Sequence, residues 1–249
     1  MRRRFFVDRF ESNSAVLRDD AADHLGRVLR AEPGQLYELS DGQHVWLGRV
    51  ERVDLSKQGK SRVEFALVES IPTPAPRLQI DLLISLVKFD RFEWCLEKAT
   101  ELGANTIVPL AAARTDRPLI AAAAKRQARW ERILLESAQQ SRRLRPPRLA
   151  PTSQPNEAFA ASSAAVTILL SERQSSPSLR TVLAGVGSLG EKSPVAVSLA
   201  IGPEGGWTEA ELAAGQASGF AEASLGENIL RAETAVIAGL AILNFALSQ

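Results

Sequence analysis

Hydrophobic and polar positions divide the chain into two regimes. Up to about residue 70 the apolar runs are short and partly alternating: Ala15-Val16-Leu17, Gln35–Leu39, His44–Val50 and Arg62–Val68. Alternation places apolar side chains on one face of a strand. Pro33-Gly34 and Asp41-Gly42 separate these runs as turn signals. Ala21–Leu29 reads as a single helix among them. Several short strands around a small core predict a β-barrel over residues 1–71. Ile71-Pro72-Thr73-Pro74-Ala75-Pro76 follows. Each proline removes a donor and disfavours helix just before it, so this segment reads as a stiff, extended linker.

Beyond the linker the pattern changes. Leu78–Val87 is an almost unbroken apolar run. Phe89–Leu102 carries Phe92, Leu96, Ala99 and Leu102 at helical spacing and stops at Gly103. Thr106–Leu110, Val166–Leu170, Val195–Ile201 and Phe220–Leu225 are further strand-like runs. Leu119–Gln140 reads as one long helix, Ser178–Leu183 as a weak one, and about Glu233–Leu247 as an apolar final helix. Continuous apolar strands between helices predict a parallel sheet covered on both faces over residues 77–249, hence a two-domain chain whose larger part is α/β.

Composition narrows the chemistry. Of 249 residues 45% are hydrophobic and 24% charged, with a formal net charge of +1. Bulk charge therefore announces no polyanion partner, and any nucleic-acid contact rests on local clusters. The single cysteine, Cys95, permits no disulfide within the chain. With only His24 and His44 beside it, no Cys/His metal cluster is expected. Arg2-Arg3-Arg4 precedes Phe5-Phe6-Val7, but Asp8 and Arg9 follow at once and break any secretory pattern. The stretch from Ala235 to Leu247 is too short to cross a bilayer. A cytoplasmic protein without a membrane partner is the expectation. Charge is also uneven. Arg114–Arg148 holds ten basic residues against Asp116, Glu131 and Glu136, whereas Glu191–Glu233 is acidic on balance.

Two loops carry the candidate chemistry. Ile201-Gly202-Pro203-Glu204-Gly205-Gly206 lies between a strand-like run and a helix start, and Leu225–Ala235 does the same before the final helix. Taken singly, the first is a turn in which glycines give backbone freedom. In the second, Glu233 is an acid at a helix start, favoured by the macrodipole, and Arg231 is a surface cation. Taken together, two glycine loops at the ends of strands close in sequence describe a site where backbone approaches a ligand. An Arg and a Glu beside such a loop suit proton removal and anion stabilisation. No phosphate-loop ending or Gly-x-Gly-x-x-Gly is present.

These loops resemble the cofactor-binding signature of the bacterial 16S rRNA (uracil N3) methyltransferase family, RsmE, of the SPOUT superfamily. Three more segments agree in order. His24-Leu25-Gly26-Arg27-Val28-Leu29-Arg30 with Pro33-Gly34-Gln35 is similar to the family's RNA-binding domain. Glu97–Ala104 with Ile107 and Pro109 is similar to the start of its catalytic domain, and Arg132 through Gln139–Arg143 with Pro146-Pro147 to its basic helix end. One departure is Ser85–Asp90, where family members often carry a basic, glycine-containing segment and only Lys88, with Arg91 just after, remains here.

The resemblance implies a PUA-like barrel followed by a SPOUT domain with a C-terminal trefoil knot. It implies S-adenosylmethionine gripped by three loops: Leu170, Ser171 and Glu172; Ile201, Gly202, Pro203, Glu204, Gly205 and Gly206; and Leu225, Gly226, Asn228, Ile229, Leu230, Arg231, Thr234 and Ala235. The reaction it implies is methylation of uridine N3 in 16S rRNA, without a metal. Arg231 would stabilise charge on the uracil, and Glu233 would accept or position the proton, or only orient Arg231. RNA phosphate would meet Arg2, Arg3, Arg4, Arg27, Arg30, Arg142, Arg143 and Arg145. For Arg2–Arg4, and for Arg27 and Arg30 three apart on one helix face, a solvated surface is the simpler reading. The final helix implies a homodimer interface, or else deep burial in one chain. Rival readings are a knotted methyltransferase acting on another RNA position or a ribose hydroxyl, an inactive ribosome-assembly factor of the same fold, and an ordinary nucleotide-binding α/β protein.

Overall fold

A computed structural model describes residues 3–56, 60–186 and 194–247. The chain divides into two compact units: residues 1–75 with 136–146, and residues 76–135 with 147–249.

The first unit is a curled, barrel-like five-stranded sheet. Its strands are β1 (Arg4–Phe6), β2 (Ser14–Arg18), β3 (Leu36–Ser40), β4 (Val45–Asp54) and β5 (Arg62–Ile71), in the order β1-β3-β4-β5-β2. Only β1 and β3 run parallel; the remaining pairs are antiparallel. Phe5, Leu17, Leu25, Leu39, Val63 and Phe65 fill the interior. Gly48 has a packing reason, because a Cβ there would lie 2.5 Å from Leu39 Cδ1.

The helix expected over Ala21–Leu29 is shorter and wider. Helix α1 (Asp19–Asp23) runs into a π-helical turn, His24–Val28, closed by Leu29 N donating to His24 O. Arg30 follows in the left-handed region at φ +51°. The widened turn and this reversal take Arg30 off the helix, so Arg27 and Arg30 do not share a helical face.

The second unit is a six-stranded, wholly parallel sheet in the order β11-β9-β10-β6-β7-β8. Its strands are β6 (Leu78–Ser85), β7 (Ala104–Leu110), β8 (Arg148–Leu149), β9 (Val166–Leu170), β10 (Val195–Ile201) and β11 (Ala221–Ala223). Helices α2 (Phe89–Glu101), α6 (Leu179–Ala184) and α8 (Ala232–Leu247) pack with Trp130 and Leu134 on one face, over Ile80, Leu82, Ile84, Ile168 and Leu199. On the other face α5 (Pro155–Ala160) and α7 (Glu209–Ala217) meet Leu83, Leu169 and Ala200. The expected parallel sheet with both faces covered is what forms. Alternate residues of one strand enter opposite cores, so an unbroken apolar run is required.

Two local expectations change. The helix read over Leu119–Gln140 is α3 (Arg117–Ala123), a 3₁₀ turn over Ala124–Arg126, and α4 (Gln127–Gln140). The tight turn sets Arg126 over the Phe89 ring, 4.8 Å from its centroid, and 3.6 Å from the Glu93 carboxylate. The Phe220–Leu225 run forms a strand only over Ala221–Ala223, because the Ser224 hydroxyl both donates to Gly226 O and accepts from Gly226 N, turning the chain. Helix α5 begins with Pro155 in its first turn and Glu157 accepting from Gln154 N at 3.4 Å.

Helix α8 lies on α2 and on the sheet. Gly239 brings it close, since a Cβ there would sit 3.0 Å from Leu199 Cδ2. Asn244 Nδ2 donates to Leu102 O at 2.8 Å and so ties α8 to the end of α2. No helix among the described residues is long and apolar enough to cross a membrane.

Phe92 is fully buried, with its ring 4.7 Å from that of Trp130. Phe92→Ala is expected to lower stability by about 3–5 kcal/mol through lost burial plus a cavity. Urea unfolding followed by circular dichroism measures this; a loss below about 1 kcal/mol would mean that the site collapses freely.

Candidate active site

The loops after β9, β10 and β11 open at the carboxyl edge of the sheet, from strands that are neighbours in the order β11-β9-β10. A parallel sheet aims its carboxyl ends the same way, so three consecutive loops converge. They enclose a cleft of about 520 Å³. That is the size of a small-molecule site.

Most residues expected to hold a ligand line this cleft: Leu170, Ser171, Glu172, Ile201, Gly202, Pro203, Glu204, Gly206, Leu225, Gly226, Asn228, Ile229, Leu230, Arg231 and Ala235. Gly205, Thr234 and Glu233 are not part of the lining. Gly205 lies against a side chain instead, since a Cβ there would be 3.3 Å from Arg114 Cβ. Gly206 is required by its backbone, which holds φ at +69°.

Trp207 fixes the floor. Its ring is buried, and Nε1 donates to Leu170 O at 2.9 Å. Gly202 leaves room for that ring, because a Cβ would stand 3.0 Å from Trp207 Cε2. Thr208 then caps α7, accepting from Glu211 N at 3.2 Å while Thr208 N donates to Glu211 Oε2 at 2.8 Å. The other oxygen, Glu211 Oε1, accepts from Ala113 N at 2.8 Å.

Three arginines absent from the expected set belong to the cleft. Arg114, just beyond β7, donates from Nη1 to Gly205 O at 2.8 Å and to Trp207 O at 3.2 Å. Arg91, in the first turn of α2, donates to the Glu204 carboxylate. Its Nε also stands 4.0 Å from Glu233 Oε1. The only sequence signal for Arg91 was its place beside the departing Ser85–Asp90 segment. Arg173, paired with Glu209, lines the cleft mouth as well.

Arg231 is exposed on the last turn of loop before α8, where its carbonyl accepts from Ala235 N at 2.9 Å. Glu233 faces inward from the first turn of that helix. Its Oε2 is buried with no hydrogen-bond partner among the described residues. It also faces Cys95 of α2. Burial, and after it the Glu233 carboxylate, push the Cys95 thiol up to about 12.

The basic residues of the first unit separate into kinds. Arg2 lies outside the described residues. Arg4 is buried and donates from Nε and Nη2 to Glu38 Oε2 at 3.1 and 2.9 Å. Arg142 approaches the other oxygen of Glu38 at 3.4 Å, from a left-handed backbone at φ +55°. Arg27 is held by Asp23 and Ser56 O, each at 2.7 Å. Arg3, Arg30 and Arg145 are exposed. Arg143 is half-buried beside Arg145; burial first, and that like charge second, lower its guanidinium to about 10.

A family model described as an RNA methyltransferase domain matches residues 73–244. Ribosomal RNA small subunit methyltransferase E of Synechocystis sp. is 36% identical over 224 residues, 89% of this chain and 69% of that protein. Its namesake in Mycobacterium tuberculosis is 30% identical over 246 residues, 95% of this chain and 88% of the relative. A crystal structure of a ribosomal RNA small subunit methyltransferase E from Neisseria gonorrhoeae, bound to S-adenosyl methionine, is similar at a TM-score of 0.81 with 29% identity, over 98% of each chain.

The raised thiol gives a pH prediction. The folded chain keeps the Cys95 proton up to about 12, whereas an unfolded thiol loses it near ~8.5. Between these values the native state binds the extra proton, so stability falls as pH rises. Denaturant titrations from pH 8 to 11 are expected to show a steeper decline for the unsubstituted chain than for Cys95→Ala; equal slopes would contradict it.

Proposed function

The chain belongs to the ribosomal RNA small subunit methyltransferase E family, and on that premise we propose that it methylates N3 of a uridine in 16S rRNA of the small ribosomal subunit, with S-adenosylmethionine as methyl donor. The observation that carries this reading is the single cleft into which three neighbouring strand-end loops bring the glycines, Arg231 and, just behind the wall, Glu233.

The residues present fit that cofactor. The cleft of about 520 Å³ suits a nucleoside-sized ligand. Gly206 lines the cleft in a left-handed turn at φ +69°, leaving only backbone facing a ligand there. Leu170–Glu172, Ile201–Gly206 and Leu225–Ala235 would hold it, largely through backbone. When bound, S-adenosylmethionine supplies a methyl carbon made electrophilic by its sulfonium, which leaves as a neutral thioether.

The residues of the chain must deal with the other reactant. Uracil N3 carries a proton, and its lone pair is spread over two carbonyls. The proton has to leave as the bond to carbon forms, and negative charge gathers on the uracil oxygens meanwhile. Arg231, on the cleft wall, stabilises that charge. Glu233 assists proton removal, for which two roles fit: taking the proton itself or holding a guanidinium in place.

The same reading makes the sheet of the first unit, over residues 1–71, a PUA-like RNA-binding barrel and the parallel-sheet unit a SPOUT domain, residues 136–146 belonging to the first unit. Such a SPOUT domain would carry a C-terminal trefoil knot at the loops after β9, β10 and β11. Exposed Arg3, Arg30 and Arg145 supply phosphate contacts. Arg143, crowded by Arg145, gains most from a polyanion. Arg4, Arg27 and Arg142 serve through the carboxylates that they already hold. A homodimer is supported by an apolar cavity of about 690 Å³ lined by Leu183, Leu225, Ile242, Phe245 and Leu247. Phe245 is 79% exposed there. A second copy would cover it with the same patch. The cytoplasm, where ribosomal subunits are built, is the corresponding location.

Calorimetric titration of S-adenosylmethionine into the full chain is the test. Binding is expected, and Gly205→Trp, which drives a large side chain against Arg114, is expected to abolish it while the fold persists by circular dichroism. Mass mapping of treated small-subunit RNA is then expected to find one methyl on a uridine base. A methyl on a ribose, or none, would overturn the assignment.

A further inference from the structure

Arg91 occupies a position that local helix energetics disfavour. It sits in the first turn of α2, where the macrodipole presents partial positive charge to another cation. Two carboxylates from distant elements offset that charge. Glu204 comes from the loop after β10 and accepts a hydrogen bond from Arg91. Glu233 comes from the start of α8, at 4.0 Å. The guanidinium thus links a loop of the cleft to the entry of the last helix, and it lines the cleft itself.

Glu233 has the complementary features. It is not part of the lining, and its Oε2 is sealed from solvent without a hydrogen-bond partner among the described residues. The ion pair that the structure gives it is to Arg91, not to Arg231. A carboxylate placed so is poorly sited to meet a proton on a ligand in the cleft, and well sited to hold the cation that does face the ligand.

We propose that Arg91 is a further catalytic residue, a second guanidinium that contacts the uracil and stabilises its N3-deprotonated form, and that Glu233 is the positioning residue that holds it. The N3 proton passes to solvent water, the N3 electron pair forms the bond to the methyl carbon, and the electrons of the broken carbon–sulfur bond stay on sulfur. This rests on the reading of the cleft as a uridine methylation site. It differs from that reading in giving Glu233 no proton to take.

The experiment compares the full chain with R91Q, R91K, E233Q and R91Q/E233Q, using unmethylated small ribosomal subunits and labelled S-adenosylmethionine. Cofactor affinity is read separately by calorimetry. R91Q is expected to lose roughly 100-fold in kcat, the range for one lost charge-stabilising donor, with the KM for cofactor changed by less than about threefold. R91K is expected to recover part of the loss, and it is the variant to read if R91Q does not fold. E233Q is expected to lose about tenfold, less than R91Q, and the double variant no more than R91Q alone, because a positioning residue has nothing left to hold. The proposal is overturned if E233Q loses more than R91Q, or if the two losses multiply in the double variant. The first outcome would make Glu233 the proton acceptor. Absence of uridine methylation by the unsubstituted chain would instead remove the functional reading, and this proposal with it.

Discussion

The hydrogen bond from Trp207 Nε1 to Leu170 O is the constraint on which the cleft depends. A buried indole must satisfy its N–H, and a carbonyl at the end of a strand has lost its ladder partner. One contact answers both needs. It pins the end of β9 to the residue that opens α7, and so sets the spacing of two of the three loops. The ring then needs room, which Gly202 gives by lacking a Cβ. Behind it, Phe159 stands 5.8 Å from Trp207 and 4.8 Å from Phe220, so the aromatic stack runs from the cleft floor to the chain just before β11. Arg114 closes the arrangement from the β7 side by donating to the carbonyls on both sides of Gly206.

How much of this could be read beforehand follows from the range of each interaction. The parallel sheet was legible because burial on both faces needs unbroken apolar strands such as Leu78–Val87 and Val195–Ile201. The cleft loops were legible because glycines at strand ends mark close backbone approach, and Gly206 bears this out with φ +69°. Arg91 and Arg114 were not. Each reaches the cleft from a segment about 90 residues or more before the loop that it binds, and nothing local distinguishes such an arginine from a solvated one. The convergence of parallel strands at one edge was the available signal for Arg114, which follows β7. The break at Ala124–Arg126 was hidden for a different reason: an alanine-rich stretch has no side chain whose spacing reveals a tightened turn.

Charge density misled in the same way. Counted along the chain, Arg114–Arg148 looks like one basic surface. In the fold its members are distributed among tasks. Arg114 is committed to backbone carbonyls, and Arg129 donates from two nitrogens to Glu93 at 2.7 Å. Arg142 shares Glu38 with the buried Arg4. A carboxylate more than 100 residues away from its cation leaves no mark on a window of sequence. The Arg143–Arg145 pair retains what the count suggested, two cations close enough that one lowers the other.

The two ion clusters also differ in what they can do. Arg4 and Glu38 are both buried, and the pair is geometrically complete, with two donors on one carboxylate oxygen. Such a pair fixes conformation more than it adds stability, since desolvation offsets most of the attraction. The Arg91 cluster is incomplete: one carboxylate bound, a second at 4.0 Å, and an oxygen of that second group without a partner. Folding alone gives no reason to keep a cation in the first turn of a helix beside an unsatisfied buried oxygen. Local rules are broken in this way where a site needs a group held ready for something else, and Arg91, the cation of this cluster, lines the cleft.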